Sequence, residues 1–262
     1  MYYINNLFQN VNDASSAYWL GFLFADGFVS KDRNRVRLEL QIRDEYMIDN
    51  FLKFLDTNYK KYYTKNNSVG VQIDNEILHS NLIKLGCIPL KSYTNTSIPS
   101  NILNNEILLW NFLRGIFDGD GCIFKEPKNN YGIYFMGTKN IIEQIQKCNP
   151  IFSEFFVQQE LRSNNCYYLR TSKFYVVKEV FNKMYNNIPT ELCLKRKYDI
   201  FKNYISERSD RKSYKEIEYD NIFFKYCELK KQNEDFTKKK ICEILNISRN
   251  KLYNILKYKN VL

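Results

Sequence analysis

SAYWLGFLFADGFVS, residues 16–30, and LLWNFLRGIFDGDGCIF, residues 108–124, are two versions of one pattern. In each version a tryptophan precedes an apolar run that contains glycine and ends at Asp-Gly. The aspartates of these dipeptides, Asp26 and Asp120, are 94 residues apart, which suits a half-domain of about one hundred residues. A repeat of this length predicts an internally duplicated chain.

The stretches that follow the two copies also match. After Asp26 come a short strand, the turn KDRN, the alternating strand VRLELQI and the helical stretch DEYMIDNFLKFL. After Asp120 come CIFK, the turn EPKNN, the strand YGIYFMG and the helical stretch TKNIIEQIQK. Each half then contains a second hairpin and a further apolar helical stretch. The predicted fold class is therefore α+β, with two pseudo-symmetric αββαββα halves.

Changes in composition along the chain predict the domain boundaries. The first half covers residues 1–93, a polar connector covers 94–106, and the second half covers 107–205. The charge-rich stretch 206–218 is predicted to be a linker. Residues 219–262 are predicted to form a small all-α helix-turn-helix domain, because two short stretches with helical periodicity follow the N-cap residues Thr237 and Ser248.

Small residues recur four positions apart in both motif stretches, which are too apolar to be exposed helices. They are Gly21 and Ala25 in the first stretch and Gly115 and Gly119 in the second. Residues four apart lie on one helix face, so we expect the two helix backbones to approach closely. A glycine inside a helix destabilises it by about 1 kcal/mol relative to alanine. Close approach of the two backbones would explain why glycine is present despite this cost. This packing would place the two aspartates side by side.

Two carboxylates at the negative ends of neighbouring helices repel each other unless a cation binds there. Mg²⁺ prefers carboxylate oxygens, carbonyls and water, and it also binds phosphates. Metal ions can hold the attacking and leaving oxygens of a phosphodiester. Asp26 and Asp120 on a pseudo-two-fold axis therefore predict cleavage of both strands of one duplex. The alternative interpretation is that each Asp-Gly only ends a helix.

Composition restricts both the partner and the chemistry. The net charge of +10, of which residues 206–262 carry +5, favours a polyanion. The single histidine, His79, argues against triad hydrolases and His-metal nucleases, and we interpret it as a surface or packing residue. The seven cysteines form no CxxC pair, which argues against a zinc finger and favours a reducing compartment, cytoplasmic or organellar. We expect a protein that is neither secreted nor membrane-spanning.

The segments LGFLFADG, residues 20–27, and LRGIFDGDG, residues 113–121, resemble the signature of the LAGLIDADG homing endonucleases. The resemblance covers about residues 12–205, and two motifs in one chain are similar to the monomeric members of the family. Phe24 departs from the signature, which has its first acid there, whereas Asp118 keeps that acid. The resemblance implies a saddle whose sheets lie in the major groove, and a staggered cut with 3′ overhangs.

The resemblance also implies a metal site. The last acid of the signature binds metal in the family, and Asp26 and Asp120 occupy that position here. The expected metal site therefore contains Asp26 and Asp120 together with the preceding residues Ala25 and Gly119. Mg²⁺ is the expected cofactor, and Mn²⁺ or Ca²⁺ are expected to substitute for it.

A lysine near the scissile phosphate in each half is a further implication of the resemblance. Lys91, in CIPLKSY, and Lys195, in ELCLKRKY, are at the matching points, and Lys197 competes with Lys195 in the second half. Their role would be to stabilise charge on the phosphate and to order the attacking water. Asp44 and Thr138 are further candidates that would organise solvent at the site.

Basic and polar residues on one strand face predict contacts to DNA. In VRLELQIR, basic and polar residues alternate with the apolar Val36, Leu38, Leu40 and Ile42. The apolar set is expected to face the helices, so the other face is available to phosphates or base edges. The start of the second helix of a helix-turn-helix typically enters the major groove. The predicted DNA-binding residues are Arg35, Arg37, Gln41, Arg43, Lys61, Tyr63, Lys65, Gln72, Lys125, Lys128, Gln158, Arg162, Arg170 and Lys197 in the two halves, and Ser248, Arg249, Asn250, Lys251 and Asn254 in the helix-turn-helix.

Three functions fit these features. The favoured one is a monomeric, site-specific double-strand DNA endonuclease, either encoded within an intron or free-standing. An intein is disfavoured, because the chain starts with Met1 and ends in Val-Leu. The second is a catalytically inactive relative that acts as a DNA-binding transcription regulator, and the third is an intron RNA maturase, with intron RNA as an additional partner. Retention of both Asp26 and Asp120 favours the enzyme.

Overall fold

The computed structural model of the chain describes residues 7–91, 93–94, 96–127, 130–161, 165–186, 188–209, 214–259 and 261. The chain divides into two units, Met1–Tyr204 and Ile205–Leu262. Across the described residues, no helix is both long enough and apolar enough to cross a membrane.

The first half of the larger unit begins with helix α1 (Ala14–Ala25), whose first turn is capped by the carboxylate of Asp13. The elements that follow are β1 (Gly27–Val29), β2 (Arg35–Gln41), a 3₁₀ turn (Ile42–Asp44), α2 (Glu45–Phe54), β3 (Lys61–Tyr63), β4 (Ser68–Asp74) and α3 (Glu76–Lys84). The four strands form one antiparallel sheet in the order β1-β2-β4-β3. This is an αββαββα half.

The second half repeats this plan. Its elements are α4 (Ser100–Leu103), α5 (Glu106–Asp120), β5 (Cys122–Glu126), β6 (Asn130–Gly137), α6 (Lys139–Cys148), a 3₁₀ turn (Pro150–Glu154), β7 (Phe156–Gln159), β8 (Tyr167–Thr171), α7 (Phe174–Tyr185), a 3₁₀ turn (Thr190–Leu192) and α8 (Lys195–Ser209). The sheet order, β5-β6-β8-β7, copies that of the first half. The predicted duplication is confirmed; the short helix α4 is an addition that lies inside the predicted connector.

The motif helices α1 and α5 pack with their backbones in contact. A Cβ atom added to Gly21 would lie 2.0 Å from the carbonyl oxygen of Phe112, and one added to Gly115 would lie 2.1 Å from that of Tyr18. No side chain fits at such distances, because real Cβ atoms do not approach backbone atoms this closely. The predicted reason for the small residues is confirmed.

Strand β2 shows the predicted alternation, with one correction at its end. Val36, Leu38 and Leu40 are buried against the helices, and the residues between them face outward. The strand ends at Gln41, and Ile42 and Arg43 belong to a 3₁₀ turn. Ile42 is therefore 38% exposed instead of buried, because the turn breaks the period of two on which the prediction depends.

The described part of the smaller unit contains the end of α8 and then the helices α9 (Tyr214–Gln232), α10 (Lys238–Leu245) and α11 (Arg249–Tyr258). Thr237 and Ser248 cap α10 and α11 as predicted, each accepting a backbone N–H three residues later. The turn between the two helices has Asn246 in the left-handed region, at φ 51°. A small apolar core holds the helices together: Cys242, Leu252 and Leu256, with Phe223, Tyr226 and Ile247 against them.

The predicted linker, 206–218, is mostly helical. Residues 206–209 end α8 and residues 214–218 begin α9, while residues 210–213 lie outside the described residues. The stretch contains no glycine or proline, so its charged composition does not prevent helix formation.

Candidate functional site

The two motif aspartates meet where the motif helices end. Asp26 is the C-cap residue of α1, and Asp120 is the last residue of α5. A Cβ atom on Gly119 would lie 3.2 Å from Oδ2 of Asp26 and 2.3 Å from Cβ of Ala25. The Asp26 carboxylate therefore lies against the partner helix, and the absence of a side chain at Gly119 makes room for this arrangement.

The electrostatics of the pair are unfavourable in the protein alone. Burial raises the pKa of Asp26 to about 6, and the charge of Asp120 adds to this effect. Burial also raises the pKa of Asp120. The charges of Lys91 and Lys197 lower the pKa values of both aspartates and so partly offset the effect of burial. Two desolvated carboxylates that repel each other favour the binding of a cation.

A lysine side chain closes the C-terminal end of each motif helix, half-buried in the case of Lys91 and buried in the case of Lys197. Nζ of Lys91 donates to the carbonyl oxygens of Leu23, Ala25 and Gly27 at 2.7, 2.5 and 2.7 Å. Nζ of Lys197 donates to those of Phe117, Asp118, Gly119 and Gly121. The acceptors Phe117, Gly119 and Gly121 are 94 residues after Leu23, Ala25 and Gly27, so they are the equivalent positions of the second half. Each ammonium satisfies carbonyls that a helix end leaves without donors and offsets the negative end of the helix dipole.

Lys197, and not Lys195, is the counterpart of Lys91. Lys195 opens α8 with an exposed side chain, and its backbone N–H donates to the hydroxyl of Tyr46. Two residues later the helix has turned by roughly 200°, so Lys197 points toward the motif. Its side chain is buried, and burial lowers its pKa to about 8. Lys197 is therefore not available for the DNA contact that we predicted for it.

Replacing Lys197 with methionine should destabilise the protein much more than the same change at Lys195. The change leaves four buried carbonyls without their donor, so we expect a loss of about 2–4 kcal/mol. Lys195→Met is the matched control and should stay within about 0.5 kcal/mol of the wild type. Thermal unfolding without metal or DNA measures both. Equal unfolding midpoints for the two variants would contradict the assignment of Lys197 as the helix-closing lysine.

Asp118, the first acid of the second motif, is a hydrogen-bond acceptor inside the protein. Its partners were not predicted from the sequence. It is 1% exposed and accepts hydrogen bonds from the hydroxyls of Tyr18 and Tyr185, at 2.9 and 2.6 Å, and from the N–H of Leu194 at 2.8 Å. The last bond anchors the segment that leads to Lys197. At the equivalent position of the first motif, Phe24 packs edge-on against Phe112.

The positions that flank the aspartate pair differ between the halves. Asp44 is buried and forms an ion pair with Arg196, whose Nε lies 3.0 and 3.2 Å from its two oxygens. Thr138, 94 residues after Asp44, has a buried hydroxyl that has no hydrogen-bond partner among the described residues. Thr138 lines a cavity of about 650 Å³ together with Asp120 and Lys91.

The donor atoms at the aspartate pair fit a hard divalent cation that keeps most of its ligands as water or phosphate oxygen. Asp26 and Asp120 supply two carboxylates, and no group of three or more His, Cys, Asp or Glu suited to a metal occurs among the described residues. The carbonyls of Ala25 and Gly119, which we expected in the metal site, accept hydrogen bonds from the two lysines. His79 lies outside the pair as a packing residue, with Nε2 2.8 Å from the carbonyl oxygen of Ser30.

Several residues that we predicted to contact DNA are instead held by other side chains. Arg35 pairs with Asp74, Lys61 pairs with both Glu45 and Asp49, and Tyr63 donates to Glu45. Arg170 pairs with Glu126, approaches Gln158 and lies over the rings of Phe124 and Phe156. These partners come from neighbouring strands and helices, so the pairing depends on tertiary structure.

Other predicted DNA-binding residues do face outward from the two sheets. Arg37 is exposed and lies over the ring of Phe28, and Gln72 is half-buried at the register position opposite Arg37. Lys128 and Arg162 lie outside the described residues. The remaining exposed members of the set are Gln41, Arg43, Lys65, Lys125 and Gln158.

In the smaller unit, helix α11 presents one polar face. Arg249, Asn250 and Asn254 are exposed as predicted, whereas Ser248 caps the helix and Lys251 pairs with Glu218 at 2.5 Å. Tyr253 and Lys257 lie on the exposed face with the first three residues, and the predicted set omitted them. The available signal was helical spacing, because Tyr253 is four residues after Arg249 and Lys257 is seven residues after Asn250.

Comparison with known proteins places this geometry in a family. The sequence profile described as the WhiA LAGLIDADG-like domain matches residues 15–76 and 109–185, more than half of the chain. Two uncharacterized proteins of Methanocaldococcus jannaschii are similar: MJ0314 is 26% identical over 141 residues, and MJ1054 is 31% identical over 137 residues. The alignments cover 50% and 47% of this chain. The chain spans only 50% of the length of MJ0314 and 15% of that of MJ1054.

Solved structures with the same fold include three meganucleases crystallised with DNA. I-AabMI bound to uncleaved DNA is similar with a TM-score of 0.52 and 14% identity, covering 78% of this chain and 93% of that one. I-LtrWI bound to target DNA has a TM-score of 0.50, 13% identity and coverages of 80% and 92%. I-SmaMI bound to uncleaveable DNA has a TM-score of 0.50, 10% identity and coverages of 74% and 90%. At these identities the likeness concerns the fold. Because the profile match extends over both halves and both motif helices, the chain belongs to the WhiA LAGLIDADG-like domain family and thus to the LAGLIDADG proteins.

Proposed function

We propose that this protein is a site-specific endonuclease that hydrolyses both strands of duplex DNA with a bound divalent metal, preferably Mg²⁺, leaving 3′ overhangs. The observation that carries the proposal is the pair Asp26 and Asp120, half-buried at the matching ends of two helices in backbone contact. A regulator that only binds DNA has no need of two desolvated carboxylates that repel each other.

The roles of the residues follow from their positions. A metal bound at the pair would act as a Lewis acid on the phosphate and make bound water more acidic. Asp26 and Asp120 would hold it, one carboxylate from each half. Lys91 and Lys197 keep the helix ends neutral and fix the aspartates in place, and their positive charge adds to the field at the phosphate.

Exposed residues of both units would supply the DNA contacts. The net charge of +10 favours binding to phosphates, which gives affinity more than sequence choice. On the sheets we assign this role to Arg37, Gln41 and Gln72. In the smaller unit we propose that α10 and α11 act as a helix-turn-helix, with α11 in the major groove and Asn250 and Asn254 available to base edges.

Selection and cleavage together test the proposal. The full chain would first be used to select bound duplexes from a randomised library without metal. The selected duplexes would then be incubated with Mg²⁺ and the ends of each strand mapped. We expect one recurrent sequence, cut on both strands at staggered positions. A sequence that is bound tightly but stays intact with Mg²⁺ or Mn²⁺ would contradict the endonuclease.

The second candidate is a DNA-binding transcription regulator. It is favoured by the hydrogen bonds that Lys91 and Lys197 make to the carbonyls of Ala25 and Gly119, which we expected in the metal site. In this case the lysines alone would balance the helix ends. Binding without cutting, in the assay just described, is the result that this candidate predicts.

Metal binding should also change stability in a pH-dependent way. Burial raises the pKa of Asp26 to about 6, so the stability that its protonated form contributes is present at low pH and lost as pH rises through about 6. Mg²⁺ at about ten times its Kd should therefore raise the unfolding midpoint by roughly 3–6 °C near pH 8, and by much less near pH 5. Thermal unfolding of the DNA-free protein measures this. An equal Mg²⁺ effect on the double variant Asp26→Asn/Asp120→Asn would contradict metal binding at this pair.

A further inference from the structure

The two sides of the aspartate pair differ at two pairs of equivalent positions. The residues directly before the two helix-closing lysines are Leu90 and Arg196. The residues next to the first helix after each motif hairpin are Asp44 and Thr138, which are 94 apart. One side thus has an arginine and an aspartate, and the other has a leucine and a threonine. We call them the Asp44 side and the Thr138 side.

On the Asp44 side, an ion pair holds the guanidinium of Arg196 in place and leaves part of it free to bind another group. Nε of Arg196 lies 3.0 and 3.2 Å from the oxygens of Asp44, whose side chain is only 6% exposed. The Arg196 side chain is 40% exposed. In the described part of the chain this ion pair engages only Nε, so the two terminal nitrogens of the guanidinium are left to bind a further group.

The charge of Arg196 acts on one member of the aspartate pair, Asp26. It lowers the pKa of Asp26, against the effect of burial, and it lowers the pKa of the neighbouring Lys197. Among the described residues that line the cavity on the Thr138 side, the one cation is Lys91, which is bound to three carbonyls. That cavity has a volume of about 650 Å³, and the buried hydroxyl of Thr138 has no hydrogen-bond partner within the described part of the chain.

A guanidinium held by a buried carboxylate is suited to a phosphate. Its planar set of donors matches two phosphate oxygens at once, and its charge is permanent. A fixed cation stabilises charge that develops during the reaction without having to reorganise. Leucine, at the equivalent position of the other side, has none of these properties.

We propose that Arg196 contacts the scissile phosphate of the strand on the Asp44 side, and that this strand is consequently the first to be cut. Arg196 is then a catalytic residue for one strand, and Asp44 is the residue that positions it. This inference rests on the proposed endonuclease and adds an order to its two cleavage events.

Strand-resolved kinetics test the order. A duplex that contains the selected target would carry a different label on each strand, and the cutting rates of both strands would be followed with Mg²⁺. In the wild type we expect one strand to be cut well before the other. Arg196→Leu should slow that strand by about 10²–10³-fold and the other by less than about threefold. Lys202→Leu, which removes an exposed charge from the same helix, is the matched control and should leave both rates unchanged.

Removing Arg196 alone leaves Asp44 buried without its partner, which threatens folding. The double variant Arg196→Leu/Asp44→Thr avoids this, because it copies the leucine and threonine found on the Thr138 side. It should cut both strands at similar rates, with the order lost. Thermal unfolding verifies that it is folded.

A metal-free measurement gives a second readout. Target duplexes nicked on one strand would be prepared with a phosphate or a hydroxyl at the nick, and their affinities measured in a chelator. On the Asp44-side strand the wild type should bind the phosphate form at least about tenfold more tightly, and Arg196→Leu should remove this preference. No such preference should depend on Arg196 on the other strand.

The outcomes separate the two proposals. If the wild type cuts neither strand, the endonuclease is wrong and the strand order falls with it. If the wild type cuts, but with equal strand rates or with both strands slowed alike by Arg196→Leu, the endonuclease stands and the role of Arg196 is overturned.

Discussion

Asp26→Asn and Asp120→Asn should each reduce double-strand cutting by at least about a thousandfold while leaving DNA binding nearly unchanged. A bound metal contributes several kcal/mol of transition-state stabilisation, and about 1.4 kcal/mol corresponds to tenfold in rate. Asparagine keeps the shape of the side chain but lacks the charge that holds the cation. In the absence of metal each change removes an unfavourable buried charge, so neither variant should be less stable than the wild type near pH 8.

Cutting of a labelled duplex that contains the selected target, together with affinity measured in a chelator, tests this prediction. Asp56→Asn is the matched control, because Asp56 is an exposed carboxylate at φ 48°, a conformation that asparagine adopts readily. It should cut at the wild-type rate. Wild-type cutting by either motif variant would show that the pair does not carry the chemistry.

Gly21→Ala and Gly115→Ala should each destabilise the larger unit by about 2–4 kcal/mol, which lowers its unfolding midpoint by roughly 5–15 °C. The added Cβ atoms would lie 2.0 Å from the carbonyl oxygen of Phe112 and 2.1 Å from that of Tyr18. Backbone atoms cannot rotate away as a side chain can, so the two helices must separate. The separation would also move Asp26 and Asp120 apart.

The sign of this effect is informative. If only helix propensity mattered, each change to alanine would stabilise its helix by about 1 kcal/mol. Gly137→Ala is the control, because a Cβ atom there meets its nearest neighbour, in Ile141, at an ordinary 3.5 Å. Thermal unfolding of the three variants without DNA measures the difference. Motif variants as stable as Gly137→Ala would contradict the backbone contact between α1 and α5.

Local patterns of the sequence accounted for much of the fold. The repeat at 94 residues predicted two equivalent halves, and the alternation in β2 predicted which face of the sheet is buried. The N-caps Thr237 and Ser248 predicted where two helices begin. These features depend on residues close together in the chain, so they are readable without the tertiary structure. The failures at Ile42 and in the stretch 206–218 occurred where the local pattern changes.

What the sequence determined by itself is the position of each aspartate at the end of an apolar, glycine-containing helix, and hence the convergence of Asp26 and Asp120. Tertiary structure alone decided the surroundings of that pair. Lys197 rather than Lys195 closes the second helix, Arg196 pairs with Asp44 across 152 residues, and the basic residues Lys61 and Arg170 are held by carboxylates of other elements. A side chain's partner depends on which face of an element it occupies and on what packs against that face. In a chain with 39 lysines and arginines, spacing along the sequence cannot identify the few that tertiary packing brings to the site.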